Sequence, residues 1–218
     1  MRNCPLVDMY YLHASNLLDI RANDLILDVG CSKGIFSEML AQKSKWTVAI
    51  DVRIVALLET KKRGIDVVKA SAVYLPFRNE IFDKVSTLEV IEHLEHGQEL
   101  ACLQEIYYVL KARGSAVLTT PNKGRLYQYI FLDPAFCLKH KHFSKLGIKD
   151  LLTSAGFKTK EIYTSGGFVH IVAFYSLYWR LETFTLLTPL LELLRKVAIM
   201  EFSTRKSDGS TIIAFAQK

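Results

Sequence analysis

The chain has 218 residues, half of them hydrophobic and 23% charged, a composition typical of a globular unit with a substantial core rather than a disordered chain. Lys and Arg outnumber Asp and Glu by 28 to 22, and so mild and scattered an excess does not indicate nucleic-acid binding. The four cysteines show no C-x-x-C spacing, and the amino terminus lacks the pattern of a secretion signal. We therefore expect reduced thiols and a cytoplasmic location.

The first third of the chain reads as helix, strand, tight turn and helix. Residues 5–20 repeat apolar positions at helical spacing and predict a leading helix, whose aromatic side chains either pack in the core or reach a ligand. Leu25–Val29 has the length and apolar content of a strand buried on both faces. Gly30 and Gly34 then bracket a turn that presents backbone N–H groups at the carboxyl end of this strand. Such an arrangement is typical of a site for a nucleotide-like ligand.

Acidic residues lie at the ends of the first two strands. Asp28, buried in the first strand, requires hydrogen-bond donors from the loop or from a ligand. Asp51, in the second strand Trp46–Val52, is close to where dinucleotide-binding folds place the carboxylate that accepts hydrogen bonds from a ribose diol. Further strands are predicted at 65–69, from residue 81, and at 115–120, 157–164 and 210–216. Because helices alternate with these strands, the sequence predicts an α/β fold with a Rossmann-like, doubly wound, seven-stranded and mostly parallel sheet.

Several segments occur in the order found in one known family. They are LDVGCSKG at 27–34, AIDV at 49–52, LPF at 75–77 with FDKV at 82–85, EVIEHL at 89–94, and LQEIYYVLKARGSAVLTTPN at 103–122. With them, the chain resembles class I S-adenosylmethionine-dependent methyltransferases, in the broad group of the ubiquinone and menaquinone biosynthesis methyltransferases, over roughly residues 25–122. The resemblance implies an antiparallel last strand, S-adenosylmethionine as cofactor and S-adenosylhomocysteine as product.

The resemblance also implies which positions contact the cofactor. These positions are Asp28, Gly30, Ser32 and Gly34 at the methionine moiety, Asp51 at the ribose, Val52, Ser71 and Ala72 at the adenine, and Leu88 and Glu89 beside the methionine end. Two of them depart from the family pattern. Ser32 replaces the middle glycine of G-x-G-x-G, and Ser71 replaces a common acid, so we expect the cofactor to be held differently at these two points.

The EVIEHL segment carries proton-active side chains. Glu89, Glu92 and His93 are spaced to share one face of a helical turn, and His142 could join them to form a divalent-metal site. Many metal-free relatives also carry the Glu-His pair found here at 92 and 93, so the question of a metal is left open and no metal is expected. If the acceptor is a hydroxyl group, His93 and His142 are the candidate bases, with a purely structural histidine as the alternative at each position.

A second informative segment precedes the last strand. We expect a single methyltransferase domain over residues 1–218 that starts with a helical segment at 1–22. Residues 166–205 are predicted to form a hydrophobic helical insertion in this domain. Arg180, Glu182 and Pro189 interrupt it, so it does not predict a membrane span. Residues 166–200 either pack in the core, cover the acceptor pocket, form a homodimer face or rest on a membrane, which would make the protein peripheral to that membrane.

The function predicted from the sequence is therefore methyl transfer from S-adenosylmethionine to an O or C nucleophile of a small, hydrophobic or lipid-like acceptor. Two alternatives belong to other classes. The first is an NAD-type oxidoreductase on the same architecture, against which the LPF, EVIEHL and TTPN segments argue. The second is a non-catalytic methyltransferase-like module that supports a partner.

Overall fold

The structure is a computed structural model that describes residues 5–123, 141–166, 193, 196–198, 200 and 209–218. Most of the insertion predicted at 166–205 lies outside the described residues, and with it most of the face proposed for lid, dimer or membrane contact. No helix among the described residues is both long enough and apolar enough to cross a membrane.

Helices and strands alternate through most of the described chain. The helices are α1 (Pro5–Leu17), α2 (Ile35–Lys43), α3 (Ile54–Lys61), α4 (Gln98–Val109) and α5 (Lys145–Ser154), with a 3₁₀ turn at Ile91–His93. The strands are β1 (Leu25–Val29), β2 (Trp46–Asp51), β3 (Asp66–Lys69), β4 (Phe82–Leu88), β5 (Leu110–Pro121), β6 (Lys158–Ser165) and β7 (Thr211–Gln217).

The seven strands form one sheet in the order β3-β2-β1-β4-β5-β7-β6. The pairs β1·β2, β1·β4, β2·β3 and β4·β5 are parallel, whereas β7 lies antiparallel between β5 and β6. This confirms the predicted doubly wound sheet with an antiparallel last strand. Because β1 is central and the order reverses beside it, a crevice opens at its carboxyl end, between β2 and β4.

The central strand is buried on both faces, as its apolar run predicts. Ile26 packs with Leu18, which directly follows α1, and with Leu40 of α2, whereas the next residue, Leu27, belongs to the core cluster on the other face, which includes Ile106 of α4. The side chains of Leu18, Ile26, Leu27, Leu40 and Ile106 are all fully buried. Alternate residues of β1 thus pack against helices on opposite faces of the sheet, and this packing positions the β1–α2 turn at the end of the strand.

The element bounds differ from the sequence prediction at two places near the crevice. Strand β5 starts at Leu110 rather than Ser115, because the residues read as a turn form an irregularity in its pairing with β4, where Arg113 has a φ of +67°. Strand β4 ends at Leu88, and Glu89, with a φ of +54°, turns the chain out of the sheet. Glu89, Glu92 and His93 therefore do not lie on one continuous α-helical face.

Candidate functional site

A cavity of about 620 Å³ lies at the carboxyl ends of β1, β2 and β4, where α1 passes beside them. Its lining comes from α1, the β1–α2 turn, the end of β2, the loop after β3 and the end of β4. The residues are Tyr10, Tyr11, Asp28, Gly30, Cys31, Ser32, Phe36, Ile50, Asp51, Val52, Arg53, Ala70, Ser71, Ala72, Leu88, Glu89, Val90, His93 and Leu94. All the sequence-predicted positions except Gly34, Glu92 and His142 are among these described lining residues.

The turn after β1 is held against the end of β2. The N–H groups of Gly30 and Cys31 both donate to the carbonyl of Ile50 at 2.9 Å, and the N–H of Ser32 donates to the carboxylate of Asp51 at 3.0 Å. Ser32 has a φ of +49°, in the left-handed region where a residue with a Cβ is strained. The turn therefore keeps a glycine-like backbone at this position although the residue is serine.

Gly34 starts α2 and lies behind the cavity. Its φ is +72°, and an added Cβ would come within 2.8 Å of the Thr60 backbone Cα and within 2.7 Å of the Thr60 side chain. Thr60 Oγ1 also donates to the carbonyl of Ser32 at 3.1 Å. Gly34 thus allows α3 to approach the turn closely, which is a packing role behind the proposed ligand position.

Asp28 supports the turn from below. It is 3% exposed, and its two carboxylate oxygens accept hydrogen bonds from Ser37 of α2 at 2.5 Å and from Ser86 of β4 at 2.8 Å. Burial raises the pKa of Asp28 to about 6, although the two hydroxyl donors oppose this shift. The donors to this buried acid thus come from α2 and β4 and not, as predicted, from the loop or from a ligand.

Asp51 is the most heavily hydrogen-bonded carboxylate of the cavity. In addition to the Ser32 N–H, it accepts from the backbone N–H of Arg53 at 2.9 Å and from the Arg53 guanidinium at 3.1 Å on each oxygen. Burial tends to raise the pKa of Asp51, but the hydrogen bonds and charge of Arg53, with the Ser32 N–H, outweigh burial and lower it. Asp51 is therefore an ionised hydrogen-bond acceptor at neutral pH.

At the other end of the cavity, Glu89 connects three elements. Its Oε1 accepts a 3.0 Å hydrogen bond from the hydroxyl of Tyr10, which also contacts the hydroxyl of Thr119 on β5. Burial raises the pKa of Glu89, and burial together with the neighbouring Glu89 charge raises the pKa of Glu92. Glu92 accepts from Thr120 at 3.0 Å. The buried Glu92 and the partly buried Glu89 thus form a pair that holds a proton more readily than isolated carboxylates do.

The two candidate histidines lie in different surroundings. His93 lines the cavity, its side chain is 52% exposed, and its Nε2 lies 4.0 Å from Oε1 of Glu92. His142 is not among the described residues that line the cavity, although Lys141 beside it donates from its backbone to the carbonyl of Glu92 at 3.4 Å. Within the described part of the chain, no three potential ligand side chains are grouped closely enough to hold a metal ion.

The remaining predicted positions form an apolar end of the cavity. Val52 follows Asp51 and is 58% exposed, and Ala72 is nearly buried in the loop after β3. Ser71 accepts from the N–H of Val73 at 3.4 Å, a long bond that supports the loop. Val52 and Ala72 offer apolar contacts, and the Ser71 hydroxyl adds one polar group to this end.

Sequence reasoning missed Arg53, Cys31 and Phe36. Arg53 follows Asp51 by two residues, and nothing in its sequence context shows that its side chain folds back onto that acid. Cys31, like Cys102, is a free buried thiol, and burial raises the pKa of both. Phe36 packs against Tyr11 with ring centroids 5.0 Å apart, which attaches α1 to α2 at the edge of the cavity. The positions of Cys31 and Arg53, three and two residues after the strand-end acids, are a sequence signal for lining residues although not for their contacts, whereas Phe36 has no such signal.

Sequence comparison assigns a family to the segment that builds this cavity. Residues 27–118 match the model of a methyltransferase domain. A ubiquinone biosynthesis O-methyltransferase of Pseudomonas entomophila is 31% identical over 149 residues, which cover 62% of this chain and 62% of that protein. A protein of Methanocaldococcus jannaschii is matched over 55% of its length. The chain therefore spans only about 55 to 62% of the length of these two curated relatives.

Solved structures share the fold over almost the whole chain. A methyltransferase of Thermotoga maritima, described as S-adenosylmethionine-dependent and as a possible histamine N-methyltransferase, superposes with a TM-score of 0.69 at 18% identity, covering 98% of this chain and 91% of that one. The N-methyltransferase NodS of Bradyrhizobium japonicum, in complex with S-adenosylhomocysteine, gives a TM-score of 0.66 at 17% identity, covering 100% and 89%. Residues 27–118 thus match a methyltransferase domain in sequence, and the chain shares its fold with S-adenosylmethionine-dependent methyltransferases of known structure.

Proposed function

We propose that this protein transfers a methyl group from S-adenosylmethionine to an O or C nucleophile of a small, hydrophobic acceptor. The observation that carries the proposal is the position of Asp51: an ionised, buried carboxylate in a 620 Å³ cavity, beside a turn of backbone N–H groups and an apolar end. A carboxylate there can accept both hydroxyl hydrogens of a ribose, and Val52 and Ala72 can contact a base. These residues fit an adenosine-containing cofactor.

The proposed contacts divide the cavity into three parts. Asp51 would hold the ribose, Val52, Ser71 and Ala72 the adenine, and the turn at Gly30 and Ser32, over Asp28, would hold the methionine moiety together with Leu88 and Glu89. Gly34 would act from behind, by letting α3 pack against this turn. When bound, the cofactor supplies an electrophilic methyl group. The protein then has to orient the acceptor and exclude water, which accounts for much of the rate enhancement of such reactions.

An acceptor hydroxyl must lose its proton, and we assign this proton to His93. The imidazole of His93 lines the cavity and is half exposed, so it can accept a proton and release it to solvent. Its Nε2 is 4.0 Å from Oε1 of Glu92, whose raised pKa keeps that carboxyl group protonated near neutral pH, so the protonated ring relies on solvent rather than on a carboxylate. The assignment favours His93 over His142 because only His93 is among the described lining residues.

The acceptor is the least constrained part of the proposal. One relative is named an O-methyltransferase, whereas two proteins that share the fold are named or described as N-methyltransferases, so the fold itself does not select the acceptor atom. The apolar sequence of residues 166–200 supports a hydrophobic or lipid-like acceptor, reached from a membrane surface or at a homodimer face. Binding of the protein to anionic liposomes and a preference for apolar acceptors would support this part, and a preference for water-soluble acceptors without liposome binding would reject it.

Calorimetric titration separates the proposal from the alternatives. We expect S-adenosylmethionine and S-adenosylhomocysteine to bind with one site per chain, and NAD not to bind. Binding of NAD alone would support the oxidoreductase alternative. Binding of S-adenosylmethionine without transfer of its isotope-labelled methyl group to any component of a small-molecule extract would favour the non-catalytic module. Mass spectrometry of the labelled product would identify the acceptor.

A further inference from the structure

The carboxylate of Asp51 is saturated with donors from its own chain. Oδ1 accepts from the backbone N–H and from Nε of Arg53, and Oδ2 accepts from the Ser32 N–H and from Nη2 of Arg53, all between 2.9 and 3.1 Å. An ionised carboxylate offers about four lone-pair sites, so each of them already has a donor. A further pair of donors can bind only if one existing pair leaves.

The four donors differ in how easily they can leave. The Ser32 and Arg53 N–H groups belong to the backbone of the β1–α2 turn and of the residue preceding α3, and both elements are packed against the sheet. The Arg53 guanidinium is on a long side chain that is 64% exposed, whereas the side chain of Asp51 is 5% exposed. The guanidinium is therefore the movable partner, and it lines the same cavity as Asp51.

We propose that Arg53 is a latch on the ribose-binding carboxylate, whose guanidinium competes with the two hydroxyl groups of an adenosine ligand for the oxygens of Asp51. Ligand binding exchanges two guanidinium N–H donors for two ribose O–H donors, and the displaced guanidinium returns to water. The backbone N–H groups of Ser32 and Arg53 stay in place and keep the carboxylate oriented. This inference rests on the proposed function, since it needs a ligand with a vicinal diol.

The latch makes Arg53 a determinant of cofactor affinity rather than a cofactor contact. A half-exposed ion pair contributes about 1 kcal/mol or less, so competition from it weakens the cofactor by a small factor and not by orders of magnitude. Lysine in its place would keep the charge but lose the planar fork that reaches both oxygens at once. We therefore expect affinity for the adenosine ligand to rise in the order Arg, Lys, Ala at position 53.

Calorimetric titration of S-adenosylhomocysteine into the wild-type protein and into R53A, R53K and R78A tests the latch. We expect R53A to bind about threefold more tightly than wild type, with R53K between them, and the midpoint of thermal unfolding of R53A to be equal to or below that of wild type. R78A removes an equal charge from an exposed residue and should bind like wild type. A purely structural arginine would instead give weaker binding in R53A.

The outcomes distinguish the latch from the proposed function. If wild type binds S-adenosylhomocysteine and R53A binds it equally or less tightly, the latch is rejected and the methyltransferase proposal stands. Equal tightening in R78A would also reject the latch, because general charge would then explain the effect. If none of the four proteins binds the ligand, both proposals are rejected together.

Discussion

The hydroxyl of Tyr10 on helix α1 donates a 3.0 Å hydrogen bond to Oε1 of Glu89, the residue at which the chain leaves strand β4. The same hydroxyl contacts Thr119 on β5, whose own hydroxyl accepts from the backbone N–H of Glu89 at 3.2 Å. Three separate elements thus meet at one partly buried carboxyl group. The leading helix is therefore a wall of the cavity and not only a cover for the sheet.

Tyr10→Phe removes this connection without removing the ring. We expect the free energy of unfolding to fall by about 1–2 kcal/mol, because Glu89 and Thr119 lose a buried hydrogen-bonding partner. Binding of S-adenosylhomocysteine should also weaken, since Tyr10 and Glu89 line one end of the cavity. Urea unfolding and calorimetry measure the two effects. Tyr74→Phe, at a side chain that is 74% exposed, is the control and should change neither quantity; an equal loss in both variants would contradict the connection.

Alanine variants of two glycines with similar backbone angles distinguish the cost of backbone strain from that of steric crowding. Gly34 and Gly64 have φ values of +72° and +80°, but a Cβ at Gly34 would collide with Thr60, whereas a Cβ at Gly64 would meet nothing within 4 Å. Gly64→Ala should cost about 1–2 kcal/mol of unfolding free energy from backbone strain alone. Gly34→Ala should cost at least about 1 kcal/mol more, because α3 must move away from the turn.

Urea unfolding of the two alanine variants measures the difference directly. Equal losses would mean that the contact between Gly34 and Thr60 does not limit the packing of α3. We also expect only Gly34→Ala to weaken binding of S-adenosylhomocysteine, since the Thr60 hydroxyl donates to the carbonyl of Ser32 in the cavity-lining turn.

The sequence predicted the features of this fold that depend on local pattern. The apolar run around Ile26 and Leu27 identified a strand buried on both faces, and Asp28 and Asp51 were placed at the edge of the sheet where ligands bind. The antiparallel β7 followed from the family resemblance and not from periodicity, and the order of the strands was not predicted. Periodicity identifies a strand, but pairing partners depend on contacts between residues far apart in sequence.

The sequence could not predict side-chain contacts across the cavity. The guanidinium of Arg53 folds back onto Asp51, and Tyr10 reaches Glu89 across 79 positions of the chain. The helical-face argument for Glu89, Glu92 and His93 assumed regular helix, but Glu89 adopts a φ of +54° and the helical turn that follows is only three residues long. A non-glycine residue in that region is held by its tertiary contacts, which no local pattern reports.

Glu92→Gln should stabilise the protein at neutral and alkaline pH. Burial and the charge of Glu89 raise the folded-state pKa of Glu92 above its unfolded value, so its stabilising contribution is full below about pH 4 and is lost as pH rises toward the folded pKa. Glutamine imitates the protonated acid and still accepts from Thr120. We expect the thermal midpoint of the variant to exceed that of wild type by an amount that grows with pH from 5 to 8. Exposed Glu95→Gln is the control; a difference independent of pH would reject the explanation.

Asp28→Asn tests whether ionisation of the buried Asp28 carboxyl group lowers the free energy of unfolding. The folded-state pKa is about 6 against an ordinary value of 3.8, so the wild-type protein should lose stability as pH rises from about 4 to 6 and change little above that range. A shift of about two pKa units corresponds to about 3 kcal/mol. In urea unfolding from pH 4 to 7.5, the unfolding free energy of the variant relative to that of wild type should therefore increase by up to that amount and become constant near pH 6.5. Asp66→Asn, at an exposed residue of β3, should show no such gain.

The same variant tests whether the charge of Asp28 acts on the cofactor. At pH 7.5 we expect Asp28→Asn to weaken the binding of S-adenosylmethionine, which is cationic, by a larger factor than the binding of S-adenosylhomocysteine, because the variant lacks the buried negative charge. An unchanged ratio of the two affinities would show that Asp28 acts only by supporting the turn.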